Sequence, residues 1–348
     1  IIGRTHQKIG FGNHKGNRFT IVTRGCAHED GSPMTESEAM DRIAVIESKM
    51  KEQIGDGLFP NWIGPQRFGA SRPVTPVVGS YVIRDDWKNA VMTYLSMEGD
   101  ENEDVYQFRK HIRENGVTEE SLEIIPHWLG FEKDMIRHLV SNPEDWVGAF
   151  RKLPNNLQLM TVHSLQSVAF NKTIKSRIDN GVAISTPIIG DIVGRIDDNR
   201  QLEPASMVTV EDRTLERISR NCQLGRLAVT AQLPGSQMMQ PSGEFALIEK
   251  SVIEEMGLKD TTWEVEKIAR LTTKGTRRPM VTNFSEFQYE PVPIAGEETM
   301  GDKWNAGVTD SELWHPDGAC IRFRFTLPSG SYATTLLREF MRSPLKQL

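Results

Sequence analysis

The pattern of hydrophobic and polar positions predicts strands and helices mixed along the chain. A β-favouring run at residues 18–24 follows a glycine turn and predicts a strand. Thr35 and Glu38 then have the spacing of a capping box, and hydrophobic residues recur at helical spacing after them, so we expect a long helix. Residues 58–79 contain so many prolines and glycines that we expect an ordered, packed loop there instead of a regular element.

The middle of the chain is predicted to be mainly helical. A helix should begin at Trp87, short helices should follow to about residue 151, and a long, well-buried helix should occupy residues 157–178. The remaining predicted elements are strands at residues 188–193, 226–231, 280–283 and 286–292, and helices from about residue 209, at 242–256 and at 261–271. This mixture favours the α+β class.

The strongest strand signal comes near the end of the chain. Residues 319–327 alternate between hydrophobic and polar, so one face of this strand is apolar while the other carries Arg322 and Arg324. A turn follows, after which Ser331 can cap a helix with Tyr332 in its first turn. Backbone N–H groups at such a helix start are unpaired and can face an anion such as phosphate.

The composition is that of a globular protein with more chain than one hydrophobic core usually holds. The 348 residues are 38% hydrophobic and 25% charged, which predicts two domains. Mean hydropathy is −0.42 and no apolar run approaches the length of a spanning helix, so we expect a soluble chain and no membrane partner. Three widely spaced cysteines without a C-x-x-C pair predict a reducing, cytoplasmic setting and no cysteine metal site.

The net charge gives no support for a polyanionic partner. Lysine and arginine total 41 against 47 aspartates and glutamates, so the net charge is −6. Binding to a nucleic acid would therefore require basic residues that are gathered on one face of the fold.

Four segments of the chain carry a resemblance to a known family. They are GNHKGNRFTIV at residues 12–22, NWIGPQRFG at residues 61–69, HSLQSVAFN at residues 163–171 and LPSGSYAT at residues 327–334, called here the first to fourth segments. Each alone is a weak signal. Their order and spacing together resemble the TruD family of tRNA pseudouridine synthases, in its archaeal and eukaryotic branch, over almost the whole chain.

The resemblance implies a fold and a division of the chain. Pseudouridine synthases have a mixed, mainly antiparallel sheet flanked by helices, and this family carries a large α+β insertion. Residues 1–94 and 277–348 would form the catalytic domain, and residues 95–276 the inserted domain. An acidic cluster at residues 98–104, which is a candidate boundary on composition alone, agrees with this division.

The resemblance also implies a reaction. Pseudouridine synthases break the C1′–N1 bond of a uridine, turn the base and rejoin it through C5, using a carboxylate and no cofactor or metal. The family's nucleophilic aspartate lies in a G-x-K-D-x-x-A-x-T-x-Q segment that does not occur before Gly16, so we expect it upstream of Ile1. Residues 257–260 match only the first four positions of that segment, G-x-K-D. Asp260 is better explained as the residue before a helix cap.

Four residues of the matching segments are candidates for holding the everted uracil. Asn61 matches the family's asparagine beside the target base, although a turn asparagine that bonds its own backbone has the same local sequence. Tyr332 matches the aromatic residue of G-S-(F/Y)-A-T, with core packing as the alternative. Ile63 stands where the family usually has an aromatic ring, so plain apolar contact would replace stacking. Arg67 should hold a phosphate or brace the loop.

Basic residues near these segments are candidates for an RNA-binding face. They are Lys15, Arg18, Arg72, Arg322 and Arg324. A solvated surface position is the alternative for each, and for Arg18 a structural brace is another. Binding through such contacts would weaken steeply with added salt.

The sequence is therefore interpreted as a cytoplasmic tRNA pseudouridine synthase without cofactor or metal, compatible with a monomer. By resemblance it would modify the uridine at position thirteen in the D arm of tRNA. One alternative is a noncatalytic RNA-binding protein on the same scaffold. Another is a protein-interaction scaffold that uses the acidic insertion.

Overall fold

The computed structural model describes residues 14–69, 71–293 and 314–341. The first two residues of the first segment lie outside these ranges. Over the described residues the chain is a mixed α+β protein whose paired strands run antiparallel, so the predicted fold class is confirmed.

The strands form three small sheets, with the orders β1-β9-β8, β2-β7 and β4-β3-β5-β6. Their bounds are β1 Gly16–Thr23, β2 Leu58–Pro60, β3 Ile192–Arg195, β4 Val208–Thr209, β5 Leu227–Leu233, β6 Thr276–Pro279, β7 Val281–Asn283, β8 Ser285–Val292 and β9 Cys320–Pro328.

The helices dominate the part of the chain between β2 and β3. Their bounds are α1 Glu36–Gln53, α2 Thr75–Val82, α3 Trp87–Ser96, α4 Glu103–Asn115, α5 Ser121–Ile124, α6 Gly130–Ser141, α7 Trp146–Phe150, α8 Asn155–Asp179, α9 Leu215–Gln223, α10 Gly243–Glu255 and α11 Ala333–Met341. Short 3₁₀ helices lie at Pro65–Arg67, Pro204–Ser206, Asp212–Thr214 and Glu266–Leu271.

The three-stranded sheet packs one face against α1 and α11. The alternation predicted for β9 is confirmed, because its apolar side chains are at most 2% exposed and Arg322 and Arg324 lie on the other face. Phe287 of β8 stacks on Phe340 of α11 with ring centroids 4.9 Å apart. The capping box of Thr35 and Glu38 is present at the start of α1, as predicted.

A second hydrophobic cluster is built from helices alone. Helix α2 packs along α8, and α3 packs against α4 and α7. The predicted domain boundary after residue 94 falls inside this cluster, because α2 and α3 share a core with the later helices. The division of the chain into domains stays a prediction.

The third cluster lies between the four-stranded sheet and helices α8, α9 and α10. Two buried ion pairs hold it together: Arg177 with Asp191, and Arg277 with Glu249, each at 2.6 Å. Ile63, Phe68 and Tyr332 also belong to this cluster, although they come from the second and fourth segments. It therefore joins the parts of the chain that carry the candidate site residues.

Several predicted elements are wrong in their bounds. The helix predicted at 261–271 is only a 3₁₀ helix at Glu266–Leu271, and the helix predicted from about residue 209 begins at Leu215. Residues 58–79 were expected to lack regular structure, yet α2 begins at Thr75, because Pro76 stands in the first turn, where no N–H is needed for the helix. The strand expected from residue 188 begins only at Ile192. The Asp191 carboxylate accepts a hydrogen bond from the Ile188 N–H at 2.8 Å and so fixes a turn there.

No described helix combines the length and apolarity that a membrane crossing requires.

The close approach of α2 and α8 generates a stability prediction. A Cβ atom at Gly79 would collide with the Thr161 carbonyl of α8. Gly79→Ala should therefore lower the free energy of unfolding by about 1–3 kcal/mol, measured by urea denaturation, because the helices must move apart. Gly130→Ala in α6 is the control: its Cβ would meet nothing within 4 Å, so stability should change by less than about 1 kcal/mol. Equal effects of the two substitutions would contradict the explanation.

Candidate active-site cleft

A cleft of about 260 Å³ opens where β2, β6 and the turn after β9 meet the hairpin that follows β3. The cleft is lined by Asn61 directly after β2, by Arg278 in β6 and by Ser331 in the turn after β9. Arg200 lines it from the hairpin. Among the described residues, no aspartate or glutamate lines this cleft. The second and fourth segments, which are far apart in the chain, thus meet at one site.

Asn61 is held in place at the end of β2. Its side chain is buried, its Nδ2 donates to the Pro279 carbonyl at 2.9 Å, and its Oδ1 accepts from Arg278 Nη2 at 2.6 Å. The backbone N–H of Asn61 donates to the Met280 carbonyl at 2.8 Å. The alternative of a turn asparagine that bonds its own backbone is therefore wrong, because these partners lie in β6 and directly after it.

Arg278 connects Asn61 to the turn after β9. The same Nη2 also donates to the Gly330 carbonyl at 2.9 Å, and the guanidinium lies 5.6 Å from the centre of the Phe170 ring. Burial lowers the pKa of Arg278 to about 10, so the group stays charged at neutral pH. Its Nε is buried and has no hydrogen-bond partner among the described residues.

Tyr332 packs against the second segment. A Cβ atom on Gly64 would lie 2.9 Å from Tyr332 Cδ1, so the ring can approach only because this position is glycine. The ring is half-buried beside the third hydrophobic cluster. The three residues before Tyr332 line the cleft and Tyr332 itself does not, so its predicted contact with the base stays a prediction.

Asn171 in α8 clamps the second segment. Its Oδ1 accepts from the Ile63 N–H and its Nδ2 donates to the Ile63 carbonyl, each at 2.9 Å. From the other side, Trp62 Nε1 donates to Glu339 of α11 at 3.0 Å. The third segment therefore fixes the backbone of the second segment.

A comparison with known proteins decides the family. The sequence profile described as "tRNA pseudouridine synthase D (TruD)" matches residues 1–340. The chain belongs to the TruD family. The members of this family are pseudouridine synthases, which are isomerases.

Similar proteins are found in archaea. The chain is 33% identical over 348 residues to a Methanosarcina mazei protein named "Probable tRNA pseudouridine synthase D", an alignment that spans 99% of this chain and 73% of that protein. A Halobacterium salinarum protein of the same name is 29% identical, with 99% and 72% covered. A crystal structure of a TruD protein from Methanosarcina mazei superimposes with a TM-score of 0.82 at 30% identity, over 98% of this chain and 72% of that one.

In this TruD chain, Ile63 serves the core of the protein. Its side chain is 5% exposed, packs with Phe68 and Phe170, and is not part of the cleft lining. Apolar contact between Ile63 and the base stays a prediction, and the burial of Ile63 away from the cleft does not favour it.

Arg67 does not line the cleft and has no ion-pair partner among the described residues. Its guanidinium makes no hydrogen bond within the part of the chain that the structure describes, and its Nε is buried. Partial burial lowers the pKa of His163 in α8, and the Arg67 charge lowers it further, so this imidazole is neutral at pH 7. The predicted brace role for Arg67 has no hydrogen bond to support it, and phosphate binding stays a prediction.

Three of the predicted RNA-binding residues share the outer face of the three-stranded sheet. Arg322 and Arg324 contact Glu290 at 3.0 and 3.3 Å, and Arg18 lies 3.8 Å from Glu286. Lys15 is exposed just before β1. Exposed ion pairs of this kind contribute little to stability, so phosphates could replace these carboxylates. RNA binding by these four residues stays a prediction.

The prediction for Arg72 has to be corrected. Arg72 is 9% exposed, donates to the Tyr94 carbonyl at 2.7 Å, and lies within 3.7 Å of Glu101 and 3.6 Å of Glu132. A guanidinium whose charge is compensated inside the protein cannot serve as a surface phosphate contact. Arg72 is a structural brace between α3 and the helices that follow.

Sequence reasoning missed Arg200 and the roles of Arg278 and Asn171. Asn171 is the last residue of the third segment, so the resemblance marked the residue but did not show that it bonds the Ile63 backbone. In the sequence, Arg278 is one of several neighbouring basic residues, and nothing distinguishes it from them. No residue next to Arg200 in the sequence marks it as part of a cleft. Among the described residues there is no group of three or more histidines, cysteines, aspartates or glutamates that could hold a metal ion.

The Asn171 clamp can be tested by substitution. Asn171→Leu leaves the Ile63 N–H and carbonyl without partners, so the free energy of unfolding should fall by about 2–3 kcal/mol in urea denaturation. Asn180→Ala, at the exposed end of the same helix, removes a bond to the Ser176 carbonyl and should cost less than about 0.5 kcal/mol. If the Leu variant were as stable as the control, the clamp would not hold the second segment in place.

Proposed function

We propose that the cleft receives a uridine everted from tRNA and that this protein isomerises it to pseudouridine at position thirteen of the D arm. The observation that carries the proposal is the meeting of Asn61, Arg278 and the turn before Tyr332 in one cleft of a TruD chain. We further propose a cytoplasmic enzyme that acts as a monomer.

Asn61 has the chemistry to recognise the base. A carboxamide offers two N–H donors and two lone pairs, and the bonds to Pro279 and Arg278 use one of each. One donor and one acceptor are left in a fixed orientation, which suits a uracil edge. Eversion costs a few kcal/mol of unstacking, which contacts to the base must return.

The reaction exchanges one bond to the ribose for another. The C1′–N1 bond breaks, the detached uracil turns within the pocket, and a C1′–C5 bond forms while C5 loses its proton and N1 gains one. This requires a carboxylate nucleophile or base. The described lining of the cleft offers none. We propose that the family's aspartate is supplied by residues outside this described lining.

A comparison of two forms of the protein tests this assignment. The 348-residue chain should bind a fluorescent tRNA transcript but release no tritium from tRNA labelled at uridine C5, whereas a form extended at its N-terminus by the family's aspartate segment should bind and release it. The labels report binding and loss of the C5 hydrogen separately. Binding by both forms without tritium release by either would favour a noncatalytic RNA-binding protein, and binding by neither would overturn the proposal.

A substitution at Tyr332 tests its role beside the pocket. In the form that releases tritium, Tyr332→Ala should slow this release at least tenfold and weaken tRNA affinity less than threefold, because a base-holding ring acts after the tRNA has docked. Tyr106→Ala, at an exposed tyrosine of α4, is the control and should change neither quantity. Equal losses of rate and affinity in the Tyr332 variant would indicate a packing role instead.

A further inference from the structure

The hairpin after β3 carries an arginine in an unusual backbone conformation. Arg200 has φ of 62°, a left-handed conformation that non-glycine residues seldom adopt. The Asp197 carboxylate fixes this turn by accepting from the N–H groups of Asn199 at 2.9 Å and Gln201 at 2.7 Å. Left-handed conformations of this kind concentrate at binding sites, where the surrounding structure maintains them.

The same hairpin is docked on the fourth segment. Gln201 Nε2 donates to the Ser329 carbonyl at 2.9 Å, so the residue after Arg200 contacts the turn that also receives Arg278. Arg200 Nη1 lies 3.3 Å from the position of a Cβ atom on Gly225, another residue that lines the cleft. The bond of Gln201 thus anchors the hairpin to the turn, and the Arg200 guanidinium lies beside Gly225 in the lining of the cleft.

The cleft has two positive charges that no described carboxylate compensates. Three arginines line it, and Arg277 alone has an acidic partner, Glu249 at 2.6 Å. The Arg200 guanidinium has no hydrogen-bond or ion-pair partner within the described ranges, and the Arg278 guanidinium bonds only uncharged oxygens there. In a chain of net charge −6, a cleft lined in this way attracts an anion.

A phosphodiester is the anion that this position favours. Guanidinium groups match phosphate oxygens in geometry and charge. A nucleotide whose base reaches Asn61 also brings its own backbone phosphates into the cleft, and phosphate contacts are what fix the register of a nucleic acid on a protein.

We propose that Arg200 and Arg278 together bind the phosphodiester next to the everted uridine. The inference rests on the proposed function and adds a specific ligand group and two residues to it. Arg278 also positions Asn61, so its replacement would mix two effects. Arg200 makes no side-chain hydrogen bond among the described residues and therefore gives the cleaner test.

The experiment measures tRNA binding by fluorescence anisotropy on the 348-residue chain. Arg200→Gln should weaken affinity about five- to eightfold at 0.1 M salt and reduce the slope of log affinity against log salt by about one, as expected for the loss of one phosphate contact. Arg195→Gln is the matched control, since it removes the same charge from an exposed arginine of β3 that does not line the cleft. It should change affinity less than twofold.

A neutral linkage in the RNA identifies the phosphate itself. Transcripts carrying one methylphosphonate on the 5′ or the 3′ side of the target uridine should lose at least five- to eightfold with the wild-type chain at one of these positions, because both arginines then lose their ligand charge. With the Arg200→Gln variant the same RNA should show a smaller further loss than with the wild-type chain, because only the Arg278 contact is left to lose.

The outcomes separate the two proposals. Additive losses from the variant and the neutral linkage, or an Arg200→Gln variant that binds like the Arg195→Gln control, would overturn the phosphate site and leave the proposed function standing. A wild-type chain that does not bind tRNA would overturn both.

Discussion

The candidate site depends on one buried cation. Arg278 Nη2 donates both to the Asn61 side chain and to the Gly330 carbonyl, and so joins the loop after β2 to the turn after β9. A desolvated guanidinium must keep its hydrogen bonds, because an unpaired buried charge is costly. The conformations of the loop and the turn are therefore coupled through it. The orientation of the Asn61 amide follows from the same bond.

Helix α8 provides the frame on which this arrangement stands. Asn171 bonds both backbone groups of Ile63, Phe170 lies under the Arg278 guanidinium, and Gly79 lets α2 approach closely at Thr161. One helix thus contacts the helical cluster, the four-stranded sheet and the second segment. Its narrow polar surface has a physical reason, since nearly every face of α8 is covered by another element.

The cleft explains how an acidic chain can accept a polyanion. The surface carries most of the carboxylates, and several arginines are compensated internally, as Arg72 is by Glu101 and Glu132. Arg200 and Arg278 remain uncompensated at the cleft among the described residues. A local excess of positive charge, and not the overall composition, is therefore what the RNA backbone would meet.

Elements with local signals, such as the alternation of β9 and the capping box of α1, could be predicted from the sequence alone, because side-chain period and backbone capping act within a few residues. The four segments also indicated the family. Which arginines have a compensating carboxylate and which face the cleft depends on contacts that form only in the folded chain. Arg72 and Arg200 look alike in sequence, but Arg72 meets carboxylates from later in the chain, Glu101 and Glu132, whereas Arg200 lines the cleft without an ion-pair partner among the described residues. The role of Asn171 could not be predicted for the same reason, because its hydrogen-bond partner is the backbone of Ile63, 108 residues away in the chain.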